Sequence, residues 1–254
     1  MALSELHDRL RFVLVRTSHS GNIGSAARAI RTMGFDRMTL VAPHRFPDPE
    51  ATALAAGADD VLAGAAIHDD LVAGLAGTTF ALGLSARRRG VNLPELDPRE
   101  GAAQAIAAAR RGEQVALVFG NERTGLENDE LSRCHAMVRI PSVDDFSSLN
   151  LSQAVQVVAY ELRTALLAEE QVPVVAEADP DEVPADAEQL ERFFEHLGRT
   201  LDDIEFHKGR SPTTIMLKLR KIFLRARPEL RELRILHGIL ADAQRMADIA
   251  HKRD

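Results

Sequence analysis

Five short apolar segments alternate with stretches of helical periodicity between residues 10 and 168 of this chain. The segment Val115–Phe119 is a continuous apolar run, which is typical of a parallel strand with both faces covered by helices. This alternation predicts an α/β domain built on a parallel sheet. The other predicted strands are residues 12–16, 38–42, 79–84 and 137–140, and the predicted helices are residues 25–33, 49–56, 69–75, 98–111 and 150–168.

An acidic segment divides the chain. Residues 169–188 contain three prolines and many acidic residues, so they bury too little apolar surface to order themselves. We therefore predict a first domain over residues 1–168, an acidic linker over 169–188 and a helical extension over 189–254. Within the extension, Ser211 and Pro212 are typical of a helix start, and Pro228 is expected to end that helix.

The formal net charge of −7 argues at first against a nucleic-acid partner, because phosphate contacts require Lys and Arg. The charges are segregated, however. Residues 169–191 carry nine acidic and no basic side chains, whereas residues 207–234 carry nine Lys or Arg and only two Glu. Because the local field governs binding, RNA contact remains open for this basic region. The alternative is that its charges form the solvated face of a small helical bundle.

The single cysteine, Cys134, cannot form an internal disulfide, which favours a reducing cytoplasm. A lone cysteine is usually a small buried hydrophobe, and a catalytic thiol is the alternative. Residues 1–12 lack the apolar core of a signal peptide, and no apolar run is long enough to cross a bilayer. His135, His196 and His207 stand apart in sequence, so we expect no metal site.

Three polar segments follow predicted strands, where open α/β sheets place their ligand sites. In the first segment, Gly21, Asn22 and Gly24 predict a tight turn into a helix whose N-terminal amides can hold an anion. Arg28 follows about one turn into that helix. Taken alone, Arg28 is equally well explained as a surface or ion-paired residue.

The second and third segments carry a carboxylate and a cluster of small polar groups. In residues 119–131, Glu122 comes just after a buried strand, a position that packing explains poorly. Glu122 is therefore expected to anchor a ligand or to support a neighbouring loop. The third segment places Ser147, Ser148 and Asn150 at the start of a long helix. A helix N-cap alone would account for Ser148 or Asn150.

The three segments read NxGxxAR, then FGxExxGL, then IP followed by SLNxSxAxxxxxYE. Their combination and order resemble the three-motif signature of the SpoU branch of the SPOUT RNA methyltransferases. The resemblance covers residues 10–168. Residues 190–201 and 217–240 are similar to the helical extension of those family members that methylate the ribose of nucleotide 32 in the tRNA anticodon loop.

This resemblance implies a SPOUT-type parallel sheet flanked by helices, with a C-terminal trefoil knot and a small all-α extension. It implies a homodimer with the active site at the interface, tRNA as the substrate, S-adenosyl-L-methionine (SAM) as the cofactor, and no metal. Small apolar residues suit an adenine slot. Carried over by motif position, the cofactor contacts are Leu84, Ser85, Ala86, Gly120, Ile140, Ser147, Ser148 and Leu149.

By the same resemblance, Arg28 is the catalytic arginine, and Asn22, Glu122 and Asn150 shape its pocket. Arginine stays protonated near neutral pH, so a general-base role is not expected. Arg28 is expected to bind the phosphate next to the target ribose and to stabilise the developing alkoxide, while that phosphate or a water takes the proton. The residues expected to grip the RNA are Arg87, Arg88, Lys208, Arg210, Lys218, Lys221 and Arg225.

Three other interpretations differ in substrate or in class. The same ribose methylation on another tRNA position or on ribosomal RNA is the nearest alternative. A non-catalytic RNA-binding protein of this fold would be expected to lose Arg28 or the motif glycines, and both are present. An unrelated α/β enzyme that uses another nucleotide would require all three motifs to be coincidental.

Overall fold

The computed structural model describes residues 6–86, 91–143, 148–169 and 183–251. Its strands are β1 (Leu10–Val15), β2 (Met38–Val41), β3 (Ala66–His68), β4 (Phe80–Leu84), β5 (Glu95–Leu96), β6 (Val115–Phe119) and β7 (Ala136–Val138). Within the described residues they form one seven-stranded sheet in the order β3-β2-β1-β6-β4-β7-β5. Every neighbouring pair is parallel, which confirms the predicted class of sheet.

All five predicted strands are present, and their ends differ from the prediction by no more than two residues. The sequence analysis missed β3 and β5, which lie at the two edges of the sheet. These strands have three and two residues, so they are too short to show an apolar pattern.

Helices cover both faces of the sheet. Ten are described, namely α1 (Ser20–Thr32), α2 (Pro49–Ala55), α3 (Asp59–Ala63), α4 (Leu71–Gly74), α5 (Pro98–Arg110), α6 (Asn128–Leu131), α7 (Leu151–Glu169), α8 (Ala187–Asp203), α9 (Pro212–Ala226) and α10 (Leu230–His251). On one face, side chains such as Phe12 and Leu117 pack against α1, α5 and α7. On the other, Val13 and Val118 pack with residues of α4 and α6. Burial on both faces explains why the strands are apolar throughout.

The predicted turn at Gly21, Asn22 and Gly24 is wrong, because these residues lie inside α1. Their glycines serve helix packing instead. A Cβ atom added to Gly24 would come 2.0 Å from the backbone oxygen of Ala51 in α2. Gly24 therefore lets α1 and α2 approach closely. Helix α1 begins at Ser20, five residues earlier than the predicted start at Ser25.

The helices α8, α9 and α10 share an apolar cluster of their own, centred on Phe193 and Phe194. As predicted, α9 begins with Ser211 as N-cap and Pro212 in the first turn, and it ends before Pro228. The Ser211 hydroxyl accepts a hydrogen bond from the Thr214 amide at 3.4 Å. Among the described residues, no helix combines the length and the apolar character needed to span a membrane.

The predicted linker overlaps the folded part of the chain at both ends. Helix α7 continues to Glu169, and residues 170–182 lie outside the described part. Ala185 is only 2% exposed, and the Ala187 amide donates to the Thr78 carbonyl at 2.7 Å. Asp186 caps α8. The end of the predicted linker is therefore packed, because it carries the cap and the first apolar contacts of α8.

Gly24→Ala is expected to lower the free energy of unfolding by about 2 kcal/mol, because the new methyl group collides with the backbone of α2. Urea unfolding followed by circular dichroism measures this change. Gly198→Ala in α8 is the matched control, since the nearest atom to its added Cβ would be 4.0 Å away. That control is expected to be neutral or stabilising by up to about 1 kcal/mol. Equal effects of the two substitutions would contradict the packing role of Gly24.

Candidate active site

Asn22, Glu122 and Asn150, one from each of the three motifs, form a chain of hydrogen bonds. The side-chain amide of Asn22 donates to Glu122 Oε1 at 2.9 Å. The side-chain amide of Asn150 donates to Asn22 Oδ1, also at 2.9 Å. These residues are separated by 100 and 128 positions in sequence, respectively. They meet because parallel strands bring their carboxyl ends to one edge of the sheet.

The Glu122 carboxylate accepts hydrogen bonds from backbone amides just before α1. The backbone amides of Ser18 and His19 donate to its two oxygens at 2.9 and 3.2 Å. Burial raises the pKa of Glu122, but the hydrogen bonds from Asn22 and from backbone amides outweigh it and lower the pKa below its ordinary value. Glu122 is therefore ionised at neutral pH and holds neighbouring segments in place, as the sequence suggested for a loop-supporting carboxylate.

The loop that carries Glu122 folds back on the end of β6. A Cβ atom added to Gly120 would lie 2.2 Å from the Gly125 carbonyl carbon, so no side chain fits there. Gly125 has a φ of +67°, which favours glycine and turns the loop back. The side-chain amide of Asn121 then donates to the Arg16 carbonyl at 2.6 Å, joining this loop to the end of β1.

Arg28 lies on α1, and its side chain is exposed. Within the described part of the chain, its guanidinium has no hydrogen-bond or ion-pair partner, while its carbonyl accepts from the Thr32 hydroxyl at 2.7 Å. Of the two alternative interpretations of Arg28, an ion pair is absent among those residues, whereas a surface position agrees with its exposure. The guanidinium is free to meet an anion from outside the chain.

A cavity lies at the carboxyl ends of β4, β6 and β7. The predicted cofactor residues that line it are Leu84, Ser85, Ala86, Gly120, Ile140, Ser148 and Leu149. Ser147 lies outside the described residues. Glu122, selected from the sequence as a pocket-shaping residue, also lines the cavity, whereas Phe119, Arg123 and Thr124 line it without having been selected. Arg123 could have been selected from the sequence, because it follows Glu122 directly within the second motif.

The predicted RNA-binding residues are spread over the extension. Arg87 and Arg88 lie outside the described residues. Lys208, Lys218 and Arg225 are exposed, and Lys221 is partly buried. Arg210 is held within its own loop. Its guanidinium lies 4.9 Å from the centroid of the Phe206 ring, and it donates to the Phe206 and His207 carbonyls at 2.7 and 3.0 Å. None of the described extension residues lines the cavity.

The remaining cysteine and histidine candidates have structural positions. Cys134 is fully buried, and burial raises its pKa to about 12, so it remains a thiol and does not serve as a nucleophile. His135 accepts from the Ala81 amide at 3.1 Å, and burial together with Arg227 lowers its pKa to about 3. The His196 ring stacks on His237 with centroids 5.0 Å apart. Among the described residues, no three potential metal ligands come together.

Comparisons with known proteins match both parts of the chain. The model of the SpoU rRNA Methylase family matches residues 9–160. The model described as the C-terminal domain of the tRNA methyltransferase TrmJ matches residues 188–252.

Individual relatives extend over nearly the whole chain. The tRNA (cytidine/uridine-2′-O-)-methyltransferase TrmJ of Citrobacter koseri is 49% identical over 235 residues, which cover 92% of this chain and 96% of that protein. The TrmJ enzyme of Sodalis glossinidius is 48% identical and covers 94% of this chain, with 92% of its own length matched. The crystal structure of TrmJ from Z. mobilis ZM4 superposes with a TM-score of 0.79 at 32% identity, covering 91% of this chain and 97% of that one.

Glu122→Gln is expected to lower the free energy of unfolding by about 1 kcal/mol at neutral pH, because it removes the charged acceptor of several hydrogen bonds. Urea unfolding of the variant beside the unmodified protein measures the difference. Glu195→Gln is the matched control, since Glu195 is exposed on α8.

This difference should depend on pH. Because the pKa of Glu122 is lowered in the folded protein, its stabilisation is complete above the ordinary value of 4.5 and is lost as the pH falls through the folded value. The two proteins should therefore converge in stability as the pH falls from about 7 to about 3. A difference that stays constant over this range would contradict the role of the carboxylate charge.

Proposed function

Since the chain belongs to the SpoU methylase family, we propose that it is a methyltransferase for the ribose 2′-hydroxyl of cytidine and uridine in tRNA, at nucleotide 32 of the anticodon loop. The observation that carries this proposal is the match to the tRNA (cytidine/uridine-2′-O-)-methyltransferase TrmJ, at 49% identity over 92% of the chain. Nucleotide 32 rests on the resemblance of the helical extension. The hydrogen-bonded motif residues beside the cavity support it, because they are the residues that the family signature requires.

The cavity fits SAM in chemical character. Its walls combine small or apolar side chains with the backbone groups of strand ends, which suit an adenine ring and an amino-acid moiety. Leu84, Ile140 and Leu149 would hold the adenosine, and Gly120 would leave the adjacent backbone accessible. When bound, the cofactor supplies a methyl group on a sulfonium. Arg123, which also lines the cavity, adds a positive charge at its wall.

The chain's own task is to hold the ribose and to ease removal of its proton. Arg28 is the residue we assign to this task, because it is exposed and lacks a partner in the described part of the chain. Its guanidinium would bind the neighbouring phosphate and stabilise negative charge on the 2′-oxygen. The phosphate or a water would accept the proton. Asn22, Glu122 and Asn150 would keep α1, and therefore Arg28, in a fixed position.

A trefoil knot and a homodimer belong to the same proposal. Strand β7 lies between β4 and β5, although both precede it in sequence, and this order supports threading of the chain through an earlier loop. Exposed apolar side chains support a dimer, since Tyr160 and Leu167 on α7 are 55% and 45% exposed and Val143 is 70% exposed. The active site would lie at this interface.

The extension is proposed to bind the tRNA body in the cytoplasm. Residues 1–168 would form the catalytic domain and residues 189–254 the tRNA-binding extension, with the acidic segment between them. Lys218, Lys221 and Arg225 lie together on α9 and support contacts to phosphates. Lys208, Arg210 and the pair Arg87 and Arg88 would contribute further positive charge.

The experiment that tests the function is methyl transfer from labelled SAM to unmodified tRNA transcripts, followed by nucleoside analysis. Label in 2′-O-methylcytidine or 2′-O-methyluridine at nucleotide 32 is the expected result. Transfer to ribosomal RNA instead would favour a second candidate function, ribose methylation of ribosomal RNA. The reason to consider it is that the matching family model describes the SpoU rRNA Methylase family. A protein that does not bind SAM would contradict the proposal as a whole.

Arg28→Ala is expected to lower kcat/KM for tRNA by at least about a hundredfold, because it removes the cation next to the reacting oxygen. Binding of SAM, measured by calorimetry, should stay within about twofold, since Arg28 does not line the cavity. Arg31→Ala is the matched control, because Arg31 is exposed on the same helix and pairs with Asp60 at 3.0 Å. Near-normal turnover of a folded Arg28→Ala protein would contradict the assignment.

A further inference from the structure

A buried carboxylate, Glu113, joins the extension to the sheet. Its side chain is fully buried at the start of β6 and accepts a hydrogen bond from Arg111 Nε at 2.9 Å. Arg227 from the end of α9 pairs with the same carboxylate. The Arg227 guanidinium also lies 4.6 Å from the centroid of the Phe80 ring, at the first residue of β4. One arginine of the extension therefore contacts the first residue of β4 and the segment just before β6.

A second carboxylate, Glu191 on α8, makes a similar connection. Its two oxygens each accept a hydrogen bond from Arg220 of α9 at 2.6 Å. Arg133, which follows α6 in the catalytic domain, pairs with Glu191 at 2.8 Å. The Arg220 guanidinium lies 4.3 Å from the centroid of the Phe194 ring, so apolar contact accompanies the charges. We call the Glu113 and Glu191 clusters together the interdomain latch.

The latch lies at the end of the sheet away from the cofactor cavity. Its contacts are at Phe80 and Glu113, where β4 and β6 begin, whereas the cavity is lined by Leu84 and Gly120, where they end. A strand of five residues spans roughly 15 Å. The extension can therefore affect methylation through the bound RNA, without touching the cofactor.

Buried ion pairs give orientation more reliably than they give stability. Removing carboxylates and guanidinium groups from water costs several kcal/mol, and apolar residues of similar volume often pack equally well. The two-point contact of Arg220 with Glu191 fixes α9 on α8 within the extension, and the pairs Arg133–Glu191 and Arg227–Glu113 then tie α8 and the end of α9 to the catalytic domain at two separate places. Interfaces between domains are otherwise expected to permit relative motion. The two clusters therefore select one orientation of α9 relative to the sheet.

We propose that Glu113, Glu191 and Arg227 are positioning residues that fix the basic helix α9, so that tRNA bound to the extension presents its target ribose to the cavity. This inference rests on the proposed function, because it assumes tRNA as the substrate. Fixing the extension raises the effective concentration of the target nucleotide at the catalytic domain. With the extension released, its contacts to tRNA and those of the catalytic domain no longer add in one productive complex, so full tRNA must be present at a higher concentration to saturate the enzyme.

The test is a double variant, Arg227→Asn with Glu191→Gln, which removes one partner from each cluster. Asparagine suits position 227, because Arg227 has a φ of +52° and asparagine tolerates this conformation better than most residues. Glu188→Gln is the matched control, since Glu188 lies on the same helix as Glu191 but is 59% exposed and pairs with Arg192 of that helix. Initial rates are measured on full tRNA and on a hairpin that contains only the target loop and its stem.

The expected result is a rise of at least about tenfold in KM for full tRNA, with kcat, KM for SAM and the rate on the hairpin within about twofold of the unmodified protein. The control variant should match the unmodified protein on both substrates. Arg227→Lys with unchanged Glu191 keeps a positive charge beside Glu113 and leaves the other cluster intact, so its KM for tRNA should lie between those of the unmodified protein and the double variant.

Two results would overturn the inference while leaving the proposed function intact. One is an unchanged KM for tRNA in the double variant. The other is an equal loss on tRNA and hairpin with weaker SAM binding, which would indicate a general structural role. If the double variant does not fold, as judged by its melting temperature, Glu191→Gln alone is compared in the same way. An unmodified protein that methylates no tRNA would contradict the proposed function itself.

Discussion

The Glu122 carboxylate is the contact on which the candidate active site depends. It accepts hydrogen bonds from the start of α1 and from Asn22, which in turn accepts from Asn150 at the start of α7. A loop and two helices are thereby held against each other at one edge of the sheet. Because the charge is satisfied by fixed donors, the network holds the start of α1, the helix that carries Arg28, against the end of the sheet.

Close backbone contacts set the shape around this network. Gly24 lets α1 approach α2, and Gly120 lets the loop with Glu122 fold onto the end of β6. In both places an added methyl group would overlap backbone atoms, which cannot move aside as a flexible side chain can. The polar residues of the site therefore keep their positions because the surrounding backbone is closely packed.

The extension is joined to the catalytic domain by interactions of a different kind from the close backbone packing around the site. Its own apolar cluster around Phe193 and Phe194 is separate from the core of the sheet. Ion pairs at Glu113 and Glu191 join the two parts, together with the backbone hydrogen bond from Ala187 to Thr78. A chain with a net charge of −7 thus leaves Lys218 and Arg225 exposed, while other arginines are neutralised inside the protein.

The sequence by itself determined the class of sheet and five of its strands, because apolar runs such as Val115–Phe119 report burial locally. The family resemblance of the sequence selected Leu84, Gly120 and Ile140, which line one cavity at the strand ends. The start of α1 was misread, because glycine is used for turns and for close helix packing alike. Only the tertiary structure decided that Arg227 meets Glu113, since such pairings depend on strand order and domain docking across more than 100 residues, which local periodicity does not encode.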